Sequence, residues 1–257
     1  MKQKDSILIL FLLLITISAW SQESKKLSLG FEVGSGIVVG EMTDKWFVRQ
    51  DIGSDLYDYN YSSSSLCKDM SISYFGIKSE YSLAKNKIGI LSGIRLTRIN
   101  SYLDKYASSG TGYFFLRNNE EGTNTEFFKV KKINEDIDYL GIPIELRYSP
   151  FQYKYFCFYF KVGTQINFKL HSKTDIQFLN ENMEAYQNKI ITNIDFTPNS
   201  IFASLYSSLG VKIGKENSVN YNFELLLPSK LLTSNNSSIV IPTSYTGFQF
   251  SVLFPFK

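Results

Sequence analysis

The sequence has little of the side chains that usually carry metal or thiol chemistry. Its 257 residues include one His and two Cys, without a metal-ligand cluster, so neither a metal centre nor a redox pair is expected. An excess of charge is also missing, because 27 Lys and Arg are set against 24 Asp and Glu. A net charge of +3 that is spread along the chain does not indicate nucleic-acid binding. We therefore expect no metal, no cofactor and no nucleic-acid partner.

Aromatic side chains, in contrast, are abundant. The chain has 21 Phe, 17 Tyr and 2 Trp, and 44% of its residues are hydrophobic while 20% are charged. A disordered chain does not carry so much apolar surface, so the composition indicates a folded protein.

The first 21 residues have the pattern of a cleaved signal peptide. Lys2 and Lys4 precede an apolar run at 7–15, and Ala19-Trp20-Ser21 places small residues at the cleavage positions. The run is shorter than the roughly 20 apolar residues that span a bilayer. The pattern predicts export, with residues 22–257 as one mature domain. A retained membrane anchor is the alternative.

The mature chain reads as strands with almost no helix. Eight segments alternate apolar and polar residues with period two, which is the pattern of a β-strand. The predicted strands are 27–39, 70–84, 88–102, 136–149, 153–173, 201–214, 218–230 and 243–256. Pro143 lies inside the fourth strand, where we expect a bulge or an unpaired backbone group.

The connections between these strands alternate in length. Three tight turns at 85–87, 150–152 and 215–217 alternate with four long segments at 40–69, 103–135, 174–200 and 231–242. In an up-and-down sheet, this order places every short turn at one end and every long loop at the other. Outer-membrane barrels have this asymmetry, with the long loops outside the cell.

The apolar face of the strands consists of Phe, Leu, Ile and Val, and the other face carries Gly, Ser, Asn, Gln and charges. Aromatic residues such as Tyr81, Tyr148 and Tyr102 lie toward strand ends, as in membrane-interface girdles. A sheet that faces lipid must close on itself. We therefore predict an all-β, closed, eight-stranded antiparallel up-and-down transmembrane β-barrel. A secreted soluble β-barrel or sandwich is the alternative, since alternation alone fits both.

An eight-stranded barrel is narrow enough to be filled by its own side chains. Four acidic and five basic residues are predicted to face inward, mostly in the half nearer the short turns, where each charge needs a partner. These residues are Glu32, Lys78, Glu80, Arg95, Glu145, Arg147, Lys161, Lys212 and Glu224. We interpret them as a structural polar plug, and a proton or ion path is the alternative.

Two segments resemble a known family. The run Asp138-Tyr139-Leu140-Gly141-Ile142-Pro143-Ile144-Glu145-Leu146-Arg147-Tyr148 resembles a strand motif of PorT-like outer-membrane β-barrels, and the C-terminal strand from Gly247 is similar to theirs. The resemblance implies the outer membrane of a Gram-negative envelope, contact with its lipid, and a final strand read by the barrel-assembly machinery. The residues of that signal are Phe248, Phe250, Phe254 and Phe256, with Lys257 after them. The family is functionally mixed, so no role in secretion is carried over.

Catalytic chemistry has weak support in the sequence. His171 and Ser172 lie near a strand end with Asp175 close by, but a nucleophilic Ser needs both groups in reach, and adjacent strand residues point to opposite faces. Cys67 and Cys157 are predicted at opposite ends of the barrel, too far apart for a disulfide. The acidic segment 51–69 lacks the spacing of a calcium loop.

The long loops hold two further predictions. Residues 113–115 and 125–131 are expected to pair as a hairpin above the membrane, and 174–195 to do likewise, with a turn or short helix at 180–188. Such hairpins either recruit a partner by edge pairing or pack on one another as a cap. We predict a non-catalytic, monomeric surface protein with a structural or interaction role and an unknown extracellular or periplasmic partner. A small-solute channel or binding barrel, or a lipid-modifying enzyme, are the alternatives.

Overall fold

The computed structural model describes residues 27–43, 46, 48–49, 66–84, 86–105, 113–118, 126–194, 196–215, 218–233 and 235–256. The predicted signal peptide and most of the acidic segment 51–69 lie outside these ranges. Among the described residues, no helix is long and apolar enough to cross a membrane.

Ten strands and two short helices make up the described chain. The strands are β1 (Leu27–Met42), β2 (Val48–Arg49), β3 (Leu66–Leu83), β4 (Ile88–Lys105), β5 (Phe114–Asn118), β6 (Glu126–Tyr153), β7 (Phe156–Phe178), β8 (Ile201–Ile213), β9 (Asn220–Leu231) and β10 (Val240–Pro255). A 3₁₀-helix (Glu181–Tyr186) leads directly into helix α1 (Gln187–Ile194).

Eight of these strands form a closed antiparallel ring. Its order is β1-β3-β4-β6-β7-β8-β9-β10, and β10 pairs again with β1, for example at Phe31 and Val252. Every strand is therefore hydrogen-bonded on both sides, so the ring has no open edge. The predicted closed, eight-stranded up-and-down barrel is confirmed.

Strands β6 and β7 are longer than predicted at the end with the long connections. β6 begins at Glu126 rather than 136, and β7 continues to Phe178, which pairs with Val130. The predicted hairpin is confirmed, since β5 pairs with β6 from Phe114 to Asn118. The short helix predicted at 180–188 is confirmed by the 3₁₀-helix, but helix α1 follows it in place of the predicted returning strand. We call the end of the barrel that carries the long connections the upper end, and the end with the short turns the lower end.

The turn between β6 and β7 differs from the prediction, whereas Pro143 follows one of its two predicted forms. The turn expected at 150–152 lies at Lys154 and Tyr155, because β6 and β7 pair as far as Tyr153 and Phe156, and Lys154 takes the left-handed conformation with φ 50°. Of the two forms predicted at Pro143, the structure has unpaired backbone and not a bulge. The pairing of β6 with β4 is interrupted at 142–143 and resumes in the same register.

The two faces of the ring differ sharply in polarity. Large apolar side chains are exposed on the outside of every ring strand, for example Phe31, Phe75, Ile94, Ile144, Phe158, Leu209, Phe223 and Phe248. We call this exposed surface the apolar belt. At its upper edge, exposed Arg98 of β4 is paired with Asp138 of β6, with 2.7 Å between Arg98 Nε and Asp138 Oδ1.

The interior has two layers. The lower half contains the predicted charges, while the upper half is mainly apolar, with fully buried Ile99, Ile137 and Tyr139 among its residues. The charges thus lie in the half nearer the short turns, as predicted, and the apolar layer above them was not predicted. The strands rise beyond the apolar belt there, so their inward side chains pack under the upper connections like the core of a soluble domain.

Candidate functional site

The nine predicted lumen residues all lie inside the ring, in two neighbouring clusters. Eight are buried, and the ninth, Lys212, is partly exposed at the lower mouth of the ring. Seven of the eight ring strands supply at least one of these charges, and β10 supplies Gln249, which is hydrogen-bonded to two of the carboxylates. The alternation of each strand aims these side chains at the barrel axis.

Arg95 lies at the centre of the larger of these clusters. Its Nη2 is 2.9 Å from Glu32 Oε2 and 2.6 Å from Glu145 Oε1, and its Nε donates to Glu32 Oε1. Its Nη1 donates to Gln165 Oε1 and to the hydroxyl of Tyr206, each at 2.9 Å. All the nitrogens of this guanidinium group are thus hydrogen-bonded, which is the condition for keeping a buried charge.

Two lysines neutralise the remaining carboxylates. Lys78 Nζ is 3.1 Å from Glu32 Oε2 and 3.0 Å from Glu145 Oε2. Lys161 Nζ is 3.1 Å from Glu145 Oε1 and also forms an ion pair with Glu224. Glu145 therefore contacts three cations at once, with Arg95 as the third. We call these three acids and three bases the central cluster: Glu32, Lys78, Arg95, Glu145, Lys161 and Glu224.

Tyrosine rings enclose the central cluster. The guanidinium carbon of Arg95 lies 4.8 Å from the ring centre of Tyr74 and 5.6 Å from that of Tyr206. Tyr206 also donates its hydroxyl proton to Glu145 Oε1 at 2.7 Å. Glycines make room for these rings: a Cβ at Gly34 would overlap Tyr74, and a Cβ at Gly163 would lie 3.0 Å from Tyr206 Cζ. Small inward residues thus allow two large rings to fill a narrow lumen.

The other three charges form a separate mouth cluster at the lower end. Arg147 Nη2 is 2.7 Å and Lys212 Nζ is 3.3 Å from the same oxygen, Glu80 Oε1. Ser82 also donates its hydroxyl to that oxygen at 3.2 Å. The mouth cluster therefore contains two cations and one anion, whereas the central cluster has three of each. The net charge of +1 carried by the nine residues is located entirely at the mouth.

The apolar upper layer closes the interior above the central cluster. Tyr139 and Phe202 meet edge to face at 4.7 Å between ring centres, and both are buried. Higher still, Trp46, Phe114 and Ile190 belong to the same buried core, so side chains of the upper connections complete it. We call the part of the molecule formed by these upper connections and the strand ends next to them the cap.

One buried acid holds the cap to the ring. Glu135 lies on β6, three residues above the Arg98–Asp138 pair that ends the apolar belt. Its Oε2 accepts hydrogen bonds from Ser237 Oγ at 2.7 Å and from the Ser238 backbone N–H at 2.8 Å. Burial raises the pKa of the Glu135 carboxyl, and these hydrogen bonds only partly oppose the increase.

The candidate catalytic residues are not brought together. His171 and Ser172 are both exposed near the top of β7, and His171 is opposite Asp138 in the strand pairing. Cys67 is exposed in the upper part of β3 and Cys157 is buried at the lower end of β7, and both are free thiols. Within the described ranges, no group of three His, Cys, Asp or Glu residues is arranged to hold a metal ion.

Several residues of the site were missed at the level of the sequence. Tyr74 and Tyr206 lie at inward positions of β3 and β8, but their aromatic character favours the outer face. Gln249 lies on the polar side of the last strand without a charge to mark it. Glu135 falls in a segment predicted as a loop. The sequence did contain a signal for the two tyrosines. Residues an even number of positions apart on a strand face the same side, and Tyr74 is separated in this way from Lys78, as Tyr206 is from Lys212.

The strand pairing and the side-chain polarity together define a closed β-barrel with a filled lumen. No protein-family profile matches the sequence, and no curated protein matches it either. Among solved structures, the chain is similar to the outer membrane protein OprG from Pseudomonas aeruginosa, with 12% identity, a TM-score of 0.42 and coverage of 90% of this chain and 99% of OprG.

Two other solved structures are similar at lower scores. They are the translocator domain of the autotransporter NalP from Neisseria meningitidis (8% identity, TM-score 0.32, 98% of this chain and 96% of that chain) and LpxR from Salmonella typhimurium (11% identity, TM-score 0.26, 89% of this chain and 100% of that chain). Because these identities and TM-scores are low, the assignment of a closed β-barrel rests on the strand pairing of the chain itself.

Proposed function

We propose that the chain is an outer-membrane β-barrel with a closed lumen that serves a structural or interaction role at the cell surface, without catalysis. The observation that carries this proposal is the reversal of polarity across the strand wall. Phe158 exposes 55% of its surface, whereas Arg95 and Glu80 each expose 1%. A water-soluble protein buries its phenylalanines and solvates its charges, so this wall is built for an apolar surrounding.

The height of the apolar belt fits a membrane. On β1 the exposed apolar side chains run from Leu29 to Val39. Ten residues of about 3.4 Å each, tilted by about 40°, rise about 26 Å along the barrel axis. The apolar band of outer-membrane barrels is about 25 Å tall. The resemblance of 138–148 and 247–256 to PorT-like barrels supports the same location, and with it recognition of the last strand by the assembly machinery.

The filling of the lumen supports a closed barrel rather than a channel. The central cluster spans the interior, and the apolar layer with Ile99, Ile137 and Tyr139 lies above it. An ion entering from below would meet this apolar layer without water to replace its hydration shell, which is strongly unfavourable. The charges are therefore explained as a plug that fixes eight strands to one another.

The surface role rests on the cap. Phe127, Leu179 and Tyr186 lie above the belt and each exposes more than 40% of its surface. Tyr186 stacks on Phe128, with ring centres 6.0 Å apart, so this apolar patch is held in a fixed arrangement. Exposed aromatic side chains on a rigid support are typical of protein contact sites.

The location is tested by fluorescence quenching in bilayers. In a Trp20→Phe background, Trp46 is the single tryptophan of the chain, and it is buried in the cap. The test variant adds Phe158→Trp and Trp46→Phe. Brominated lipid acyl chains should strongly quench the fluorescence of the Phe158→Trp variant and hardly that of the protein whose single tryptophan is Trp46. Equal quenching at both positions, or a protein that stays dispersed without detergent, would contradict the proposal.

The closed lumen is tested by single-channel recording in planar bilayers. The wild-type protein should pass no steady current. A Glu80→Gln, Glu145→Gln double variant loosens both clusters and should show intermittent openings. A stable conductance of the wild type would favour the small-solute channel. For the enzymatic alternative, a changed lipid profile in wild type but not in a His171→Ala variant would be the decisive finding.

A further inference from the structure

We propose that the lower mouth of the barrel is a binding site for a small oxyanion, a phosphate or carboxylate group, held by Arg147 and Lys212. This site is independent of the proposed surface role. It rests on a cavity, on a guanidinium group with two buried nitrogens that lack hydrogen-bond partners among the described residues, and on the uneven distribution of charge between the two clusters.

The cavity lies where the mouth cluster opens to solvent. Its volume is about 40 Å³. One water molecule needs about 10–15 Å³ by this measure, so there is room for about three waters or one oxyanion of four or five heavy atoms. The lining includes Ser28, Asn86, Arg147, Cys157, Lys212 and Asn220, which come from six different parts of the ring wall. The surrounding groups are mainly polar, and the lining residues that the structure describes include no carboxylate.

Arg147 has binding capacity that the described chain does not use. Its side chain is 2% exposed. Its guanidinium carbon lies 5.7 Å from the ring centre of Tyr159. Only Nη2 has polar partners, namely Glu80 Oε1 at 2.7 Å and the Asn86 carbonyl oxygen at 3.3 Å. Its Nε and Nη1 are buried and have no hydrogen-bond partner among the described residues. Arg95 in the central cluster has partners for every nitrogen, so the contrast within one lumen is clear.

The charge of the mouth favours an anion over water. Glu80 is the one acid of this cluster, and it is shared by two cations, so one positive charge is uncompensated within the described part of the chain. Lys212 Nζ makes a single 3.3 Å contact with Glu80 and keeps donors for a further partner. A buried cation without a counter-charge is costly, and a bound oxyanion removes that cost while it accepts the free N–H groups. Lys154 on the rim adds a further positive charge to the lining.

The site is tested by titrating the full-length protein in phosphatidylcholine nanodiscs with inorganic phosphate and with acetate, at constant ionic strength, by isothermal calorimetry. We expect saturable binding to one site. Arg147→Gln and Lys212→Gln should each weaken binding by about tenfold or more, because each removes charged donors. Both variants leave Glu80 paired with one cation, so the mouth becomes neutral and folding should be retained. Arg98→Gln, at the upper edge of the belt, is the matched control and should bind like wild type.

A second measurement uses the native thiol of the cavity. In a Cys67→Ser background, Cys157 is alkylated by iodoacetate, which is anionic, and by iodoacetamide, which is neutral and nearly the same size. The thiolate displaces iodide in both cases. The iodoacetate-to-iodoacetamide rate ratio should exceed that of an exposed thiol, should fall with added phosphate, and should fall in Lys212→Gln. This readout remains valid if Arg147→Gln does not fold.

The source of the oxyanion is distinguished by the lipid. If phosphatidylglycerol in the nanodisc lowers the apparent phosphate affinity of the wild type, a lipid headgroup reaches the same site. If it does not, the ligand is a soluble anion from the lower compartment. The proposal is overturned if the wild type binds neither phosphate nor acetate, or if binding and the alkylation ratio are unchanged in Lys212→Gln and in every folded Arg147→Gln preparation.

Discussion

Replacing Glu145 by Gln should destabilise the barrel more than any exposed charge change. Glu145 lies 2.6 Å from Arg95 Nη2, 3.0 Å from Lys78 Nζ and 3.1 Å from Lys161 Nζ, and its side chain is fully buried. The substitution leaves three cations facing two carboxylates. Breaking a buried ion pair from one side costs about 3–5 kcal/mol.

The lower end of that range, about 3 kcal/mol, is expected for this variant. Glu32 and Glu224 still contact the three cations, and the Gln oxygen still accepts the hydrogen bond from Tyr206. Restoring neutrality with Lys161→Met in the same chain should return part of the loss, because the two sites are in contact and therefore not additive.

The assay is urea unfolding in detergent micelles, followed by gel mobility of the folded band and by the fluorescence of buried Trp46. Asp138→Asn serves as the control. Its partner Arg98 is exposed on the outer surface, so the loss should stay below about 1 kcal/mol. If Glu145→Gln unfolds at the same urea concentration as wild type, the central cluster does not hold the strands together and the plug interpretation fails.

Three further predictions concern other parts of the molecule. Ile94→Arg places a charge on the middle of the apolar belt and should cost about 2–4 kcal/mol in a bilayer, whereas an unchanged stability would argue for a water-exposed surface. Because burial raises the pKa of Glu135, its carboxyl stays protonated to a higher pH in the folded state than in the unfolded state. Wild type should therefore lose stability relative to Glu135→Gln as the pH rises from about 4 to 7, in thermal unfolding scans, and parallel curves would contradict this. A bulky maleimide should label Cys67 in the folded protein and Cys157 only after unfolding, and a disulfide between them on a non-reducing gel would disprove the assigned topology.

The alternation of apolar and polar residues predicted the eight ring strands because each strand has two different surroundings. Phe31 and Phe158 face outward and Glu32 and Lys161 face inward, and a period of two is the direct consequence. The same phase identified the nine lumen charges, since each charge follows its strand's inward positions. Loop lengths then ordered the strands, because antiparallel neighbours in an up-and-down ring are joined in chain order.

The sequence by itself thus determined which residues form strands, which face each presents and which charges share the interior. Only the tertiary structure decided how those charges divide into a neutral central cluster and a mouth cluster with a net charge of +1. The division depends on the stagger of each strand against the next. The tertiary structure also decided that the upper interior is mainly apolar. Ile99, Ile137 and Trp46 meet there through segments far apart in the chain, and a local pattern does not record which distant residue closes over which.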